Sequence, residues 1–447
     1  MHTHIGKVKI ATTKGKSQRI NQPNDIINLY QKLQYELHTR IKKNQDSRAF
    51  QVPDGKDLAH PLYPIAQSLL SVKEGKQRGW LVDNIVTFPF NDIFHTQTNP
   101  KFIKSNRYVR HQVHTFDNTF RFTPFCRVDP TDINSTDEII NSVNNGMSGL
   151  KLHPLSQGWI ERIQSPETKE VLRTAGNLKL PVIFDVPNKG VAQDITQITQ
   201  ESRSESEKPV NVILGHSGFD YSSSEMFECL ALDGMYAESS GMRGKDVEIF
   251  FENVMNVPNW EYKILFGTDH NYFSVLQAAD LIEFLLSRKF QSMLEDISHP
   301  MDSLSVASQI LGYNALNLIP KKWLVELDNT QSANYSISFN DFYEEVRKFM
   351  TIKDNFIKLE FAEKRTDKNI YQILSFGSKD LIQSFVVTLQ KGLKKLRLRT
   401  LDKNYIRSDL NPDSILSLKY VEKSSQKASP LTQNEFNSLI NRNSMKE

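Results

Sequence analysis

The feature that most constrains this chain is a regular alternation, from about residue 80 to 320, of short apolar runs with segments of helical periodicity. The runs are residues 85–90, 121–128, 149–153, 181–186, 210–216, 235–239 and 263–269. Segments 167–177, 194–204, 223–232, 245–255 and 273–287 between or after them read as helices. Strands that alternate with helices predict parallel βα units, because each connection has room for a crossover helix and none for a second sheet. A truncated strand at 1–5 brings the number of predicted strands to eight. Eight βα units close into a TIM barrel, which takes about 250 residues and more with insertions. The fold class expected is therefore α/β, a (β/α)8 barrel over residues 1–322. A mostly helical, polar insertion at about 6–80 follows strand one, with one helix at 25–43.

Beyond residue 320 the pattern changes. Segments 335–339, 355–361, 370–376, 394–399 and 415–420 read as strands, and 340–350 and 379–393 as helices. This order predicts a small α+β domain of ferredoxin-like character over 323–423, with a polar, frayed tail at 424–447.

Composition narrows the class further. No run approaches the roughly 18 apolar residues that a membrane span requires. The first residues, MHTHIGKVKI, lack the apolar core of a secretory signal. Two cysteines, Cys126 and Cys229, make no disulfide framework, which points to a reducing cytoplasm. A balance of 55 basic and 52 acidic residues gives a net charge of +3, which argues against a nucleic-acid partner. The basic segment 391–407 reads as a strand with a solvated charged face and has no aromatic interleaving to support base stacking.

The residues with chemical potential fall at strand ends. His2 and His4 are two positions apart, so in a strand both imidazoles face the same way and can bind one metal ion. A chance His-x-His is the alternative. His216 closes the run VNVILGH, where it is either a barrel-mouth residue or a structural cap. Asp269 closes ILFGTD and either enters the barrel mouth or caps the next helix. Arg127 can clamp a substrate carboxylate or pair with Asp129 or another rim acid, the pairing being the plainer reading. Lys151 and His153 either line the substrate site or serve as a snorkelling side chain and a loop hydrogen bond. Glu238 reads as a loop hydrogen-bonding group, with support of a metal ligand as its alternative.

The order of MHTHIG, FRFTPFCRVDP, GMSGLKLHP, LPVIFDV, VILGHSG, MYAESSG, ILFGTDH and ILGYNALNLI resembles the amidohydrolase superfamily. Within it, the chain looks like the amidohydrolase-2 branch that includes aminocarboxymuconate-semialdehyde decarboxylase. The resemblance spans residues 1–320 and leaves the rest unmatched. It implies one divalent metal ion, zinc first and manganese second. His2 and His4 on strand one and Asp269 on strand eight would be ligands, and His216 would contact the water or substrate or share in binding the metal. Lys151, His153 and Arg127 would face a small-molecule substrate.

Two departures stand out. Strand five of the family usually ends in a metal-binding histidine, where this chain has Asp185, which can also bind through oxygen. The acid that usually precedes the first histidine is Met1 here. Being buried, Asp185 needs a cationic partner, and the metal, Lys151 and the amine of Met1 are the candidates.

The resemblance implies hydrolysis of a small carboxylate-bearing amide, lactone or related C–N or C–O bond through an activated water. Asp269 would take its proton and His216 would steady the developing charge. Decarboxylation on the same fold is the alternative. A catalytically reduced barrel that binds a partner through the C-terminal domain, or a homo-oligomer, is a further one.

Overall fold

The computed structural model describes residues 2–12, 15–21, helical positions within 22–40, and 85–90, 101–113, 122–270 and 273–319, together with the backbone of strands between 324 and 431. Two compact units emerge: residues 1–55 with 61–320, and residues 56–60 with 321–447. Among the described residues, no helix is long and apolar enough to cross a membrane.

The first unit is mixed α/β with parallel strands. Its strands are β1 (His2–Thr12), β2 (Gly15–Asn21), β3 (Ile85–Pro89), β4 (Phe122–Pro124), β5 (Cys126–Arg127), β6 (Leu150–Leu152), β7 (Pro181–Phe184), β8 (Asn211–Leu214), β9 (Met235–Glu238) and β10 (Ile264–Leu265). One sheet runs β2-β1-β3-β4 and the other β10-β9-β8-β7-β6-β5. Only Phe125 separates β4 from β5, and its amide donates to Thr87 O at 2.8 Å while Cys126 N donates to Gly149 O. The segment thus joins the two sheets. At the other end a parallel bridge, Thr3↔His270, brings the chain after β10 back to β1.

All seven apolar runs contain strands, and the period-two alternation explains why. Ile85, Leu150, Val182, Val212 and Ile264 join the large core beneath the helices. Val86, Phe88, Phe125, Ile183, Ile213 and Leu265 form a smaller cluster on the opposite face with Leu318 and Ile319. Both faces of these strands are buried, as parallel sheets require, and each fully buried large side chain contributes about 1.5–3 kcal/mol.

The helices begin where capping residues place them. In α1 (Pro166–Asn177), Ser165 accepts from Thr168 N and proline occupies the first turn. In α2 (Lys189–Ser204), Asn188 accepts from Val191 N, which starts the helix five residues before the predicted 194. After β10, α3 (Val275–Leu285) is capped by Ser274.

The insertion differs from expectation. Its first part is not helical: β1 continues to Thr12 and turns back antiparallel through β2, pairing Gly6 with Asn21 and Thr12 with Gly15. The alternation in KVKIAT and KSQRIN suits a strand better than a helix. Helix follows at described positions within 23–40. There Arg40 binds Glu36 and reaches Asp280 and Glu283 of α3 at 2.5 and 2.8 Å.

The second unit corrects the ferredoxin-like expectation. Its described backbone is an eight-stranded sheet: β11 (Leu324–Asn329), β12 (Ser332–Ile337), β13 (Glu360–Arg365), β14 (Asn369–Ser378), β15 (Leu381–Gln390), β16 (Lys395–Leu401), β17 (Ile415–Val421) and β18 (Ala428–Leu431). The order is β12-β11-β16-β15-β14-β13-β17-β18. The predicted helix at 379–393 is strand β15, because LIQSFVVTLQ is rich in β-branched and aromatic residues and pairs on both edges. The predicted tail contributes β18, paired with β17. The predicted helix at 340–350 lies outside the described residues.

Candidate metal and catalytic site

The alternation that sorts the core also delivers the polar residues. Leu150 and Leu152 belong to the large core, so Lys151 between them faces the smaller cluster, where its ammonium lies 5.2 Å from the Phe88 ring centre. Two positions further, His153 emerges on the same side, as Asp185 does from Ile183 and Glu238 from Tyr236. Lys151 is 1% exposed and Arg127 fully buried.

Asp185 is gripped by two histidines. His216 Nε2 is 3.0 Å from its Oδ1, and His153 Nδ1 is 3.1 Å from its Oδ2. Neither histidine was among the partners expected for Asp185. Lys151, which was, acts on it through its charge from beyond ion-pair distance. Burial alone would raise the Asp185 pKa, but the His216 hydrogen bond and the charges of Lys151, His153 and His216 hold it below the usual carboxylate range. For His153, burial dominates and lowers the pKa to about 2, with Asp185 opposing and Arg127 and Lys151 adding to the fall.

His216 sits in a turn of unusual backbone. His216, Ser217 and Gly218 have φ of 58°, 45° and 66°. Left-handed conformations cost side-chain-bearing residues about 1–2 kcal/mol each, and Glu238 offsets this cost. Its Oε1 accepts from His216 N at 2.7 Å, its Oε2 from Ser240 N at 2.9 Å, and its carbonyl from Ser217 Oγ. Ser240 Oγ lies 2.7 Å from His216 Nδ1 and 2.5 Å from Glu238 Oε1. Gly215 is required just before the turn, since a Cβ there would stand 2.6 Å from Phe184 O. Phe219 stacks on the His216 ring at 4.6 Å.

On the opposite side, His4 Nε2 is 2.9 Å from Asp269 Oδ1, and both are buried. His4 Nδ1 faces Pro89 O at 3.4 Å, its ring stacks on Phe90, and Phe88 packs edge-on. Burial lowers the His4 pKa despite Asp269, which favours the neutral ring a metal needs. Asp269, at φ 40°, also approaches His216 Nε2 with Oδ2 at 3.9 Å. His2 lies on β1 opposite Val86, and its side chain is outside the described residues.

Asp129 is not the partner of Arg127. Asp129 pairs with Lys101 at 2.6 Å, whereas the Arg127 guanidinium donates to Phe90 O, Ser156 Oγ and Gln157 Oε1. Its charge still reaches His4 and His153. Glu238 is more than a loop hydrogen bond, and Ser240 was missed altogether. The only sequence signal for Ser240 was its position two residues after Glu238 at a strand end.

The donor types fit a divalent metal ion: two imidazoles and two carboxylates, with His216 hydrogen-bonded through its other nitrogen. Among the described residues, however, no three of these groups already form a metal-holding set. They stand as two His–Asp pairs, joined by the 3.9 Å approach of Asp269 to His216.

No family model and no curated protein matches the chain. Solved structures to which it is similar include an amidohydrolase from Burkholderia multivorans, 11% identical over 57% of this chain and 87% of that one, at a TM-score of 0.35. Another is N-isopropylammelide isopropylaminohydrolase from Burkholderia multivorans, 12% identical over 71% and 73%, at 0.34. A third is a TIM-barrel protein from Bordetella bronchiseptica, 9% identical over 71% and 98%, at 0.38.

Proposed function

We propose that the first unit is a closed (β/α)8 barrel of amidohydrolase type and a metal-dependent hydrolase of a small amide, lactone or related C–N or C–O bond. The observation that carries this reading is the convergence of His4 on β1 with Asp185, His216 and Asp269, which follow β7, β8 and β10, into facing His–Asp pairs. These four residues, with His2, would hold the ion, zinc in the first instance and manganese in the second. The bound ion supplies Lewis-acid polarisation of the scissile carbonyl and brings the acidity of water to near neutrality.

The chain's own groups account for the remaining chemistry. Asp269 accepts the proton of water as its oxygen bonds to the carbonyl carbon. The same proton passes to the leaving nitrogen or oxygen as the C–N or C–O bond breaks, so Asp269 ends as it began. Negative charge that develops on the carbonyl oxygen is met by the positive groups of the inner face. Lys151 and Arg127 give the inner face a positive potential that suits an anionic substrate, and His153 holds Asp185 in place.

The test is metal analysis of the purified full chain, followed by stripping, zinc or manganese re-addition, and turnover of carboxylate-bearing amides and lactones. About one metal ion per chain and metal-restored hydrolysis are expected. Metal-independent turnover, or stripped and loaded chains that are equally inert, would overturn the reading. Release of CO₂ without hydrolysis would replace it with decarboxylation.

A further inference from the structure

We propose that Glu238 and Ser240 are positioning residues that fix a proton of His216 on Nδ1 and turn its Nε2 towards Asp185 and Asp269. The proton count decides it. Ser240 has one hydroxyl proton and two close partners, Glu238 Oε1 at 2.5 Å and His216 Nδ1 at 2.7 Å. A carboxylate oxygen only accepts, and Oε1 already accepts from the His216 backbone N–H. The serine proton therefore goes to Glu238, and the serine oxygen must accept from Nδ1–H.

The carboxylate cannot easily turn away from this role. Its second oxygen accepts from Ser240 N at 2.9 Å, and its carbonyl is held by Ser217 Oγ. One side chain thus fixes both the left-handed backbone of His216 and, through Ser240, its ring. With Nδ1 engaged by Ser240, Nε2 is the nitrogen that faces Asp185 Oδ1, 3.0 Å away, and Asp269 Oδ2, 3.9 Å away. Nε2 is thus the nitrogen offered to a metal ion, so the proposed use of the arrangement rests on the metal reading above. In the other pair, His4 Nδ1 faces Pro89 O at 3.4 Å.

Long-range ¹H–¹⁵N spectra of the full chain labelled at histidine, stripped and zinc-loaded, read the tautomer directly. The His216 signals are assigned by their loss in His216→Gln. Wild type should carry a proton on Nδ1. Ser240→Ala should lose much of that population and weaken zinc binding by about 10- to 100-fold, and Ser240→Thr should restore both. A bare Nδ1 in wild type overturns the proposal even if Ser240→Ala does not fold. An unchanged tautomer in folded Ser240→Ala also overturns it, and if zinc still binds, the metal reading survives. A tautomer that moves in a chain that binds no zinc supports the positioning role and refutes the metal reading.

Discussion

The two halves of the site reach similar His–Asp geometry by different means. His4 and Asp269 meet because β1 and the chain after β10 are joined by backbone, with His4 N and Thr3 Oγ1 both donating to His270 O. Aromatic packing from Phe88 and Phe90 then sets the ring. His216 and Asp185 meet across β7 and β8, but only because a left-handed turn aims the imidazole and a buried glutamate holds that turn. The first half depends on strand pairing, the second on one side chain that satisfies several donors. A single substitution should therefore disturb the second half more than the first, except where it removes a ligand outright.

The largest effects should come from the ligands. Asp269→Ala and Asp185→Ala should each lose zinc affinity by more than about 100-fold, beyond the 10- to 100-fold typical of supporting residues. Asp185→His should retain zinc. Equilibrium dialysis against zinc measures all three, and unchanged binding in Asp185→Ala would confine the metal to the His4–Asp269 half.

Next is Glu238→Ala, which leaves the His216 N–H, the Ser240 N–H and the Ser240 hydroxyl without their acceptor. At about 1–3 kcal/mol for each buried unsatisfied group, reduced by water entry, we expect a loss of about 3 kcal/mol in urea unfolding. The matched change in the other half, Phe90→Leu, should cost less than about 1.5 kcal/mol. Equal losses would erase the contrast between the halves.

Arg40→Ala probes support from outside the first half, since Arg40 ties the 23–40 segment to α3, which begins soon after Asp269. Loss of the shared cation should lower stability by about 1–2 kcal/mol. A change below about 0.5 kcal/mol in thermal or urea unfolding would show that α3 is held without it.

At neutral pH the smallest effect is that of His153, which emerges only on acidification. His153 has a folded pKa of about 2 against 6.5 when unfolded, so acid protonates the unfolded chain first. Its contribution is complete above pH 6.5 and is lost progressively as pH falls towards 2, and the lowered pKa of His4 acts in the same direction. His153→Gln should make stability fall less steeply between pH 6.5 and 4. An unchanged slope would mean that His153 titrates normally.

The sequence by itself determined the parallel βα order of the first unit. Short continuous apolar runs bury both faces of a strand, as a parallel sheet flanked by helices requires, and the period of two along them put Lys151, His153, Asp185 and Glu238 on one side. It did not determine the insertion or the second unit, where strand and helix signals compete and pairing along both edges of 381–390 settles the outcome. Nor did it reveal the histidine partners of Asp185, the bonds of Arg127 to Phe90 O, Ser156 and Gln157, or the part played by Ser240. Those depend on which strand ends become neighbours and on a backbone turn with positive φ. A linear pattern encodes the face on which a side chain emerges, but only the folded chain fixes the distance to groups far away in sequence.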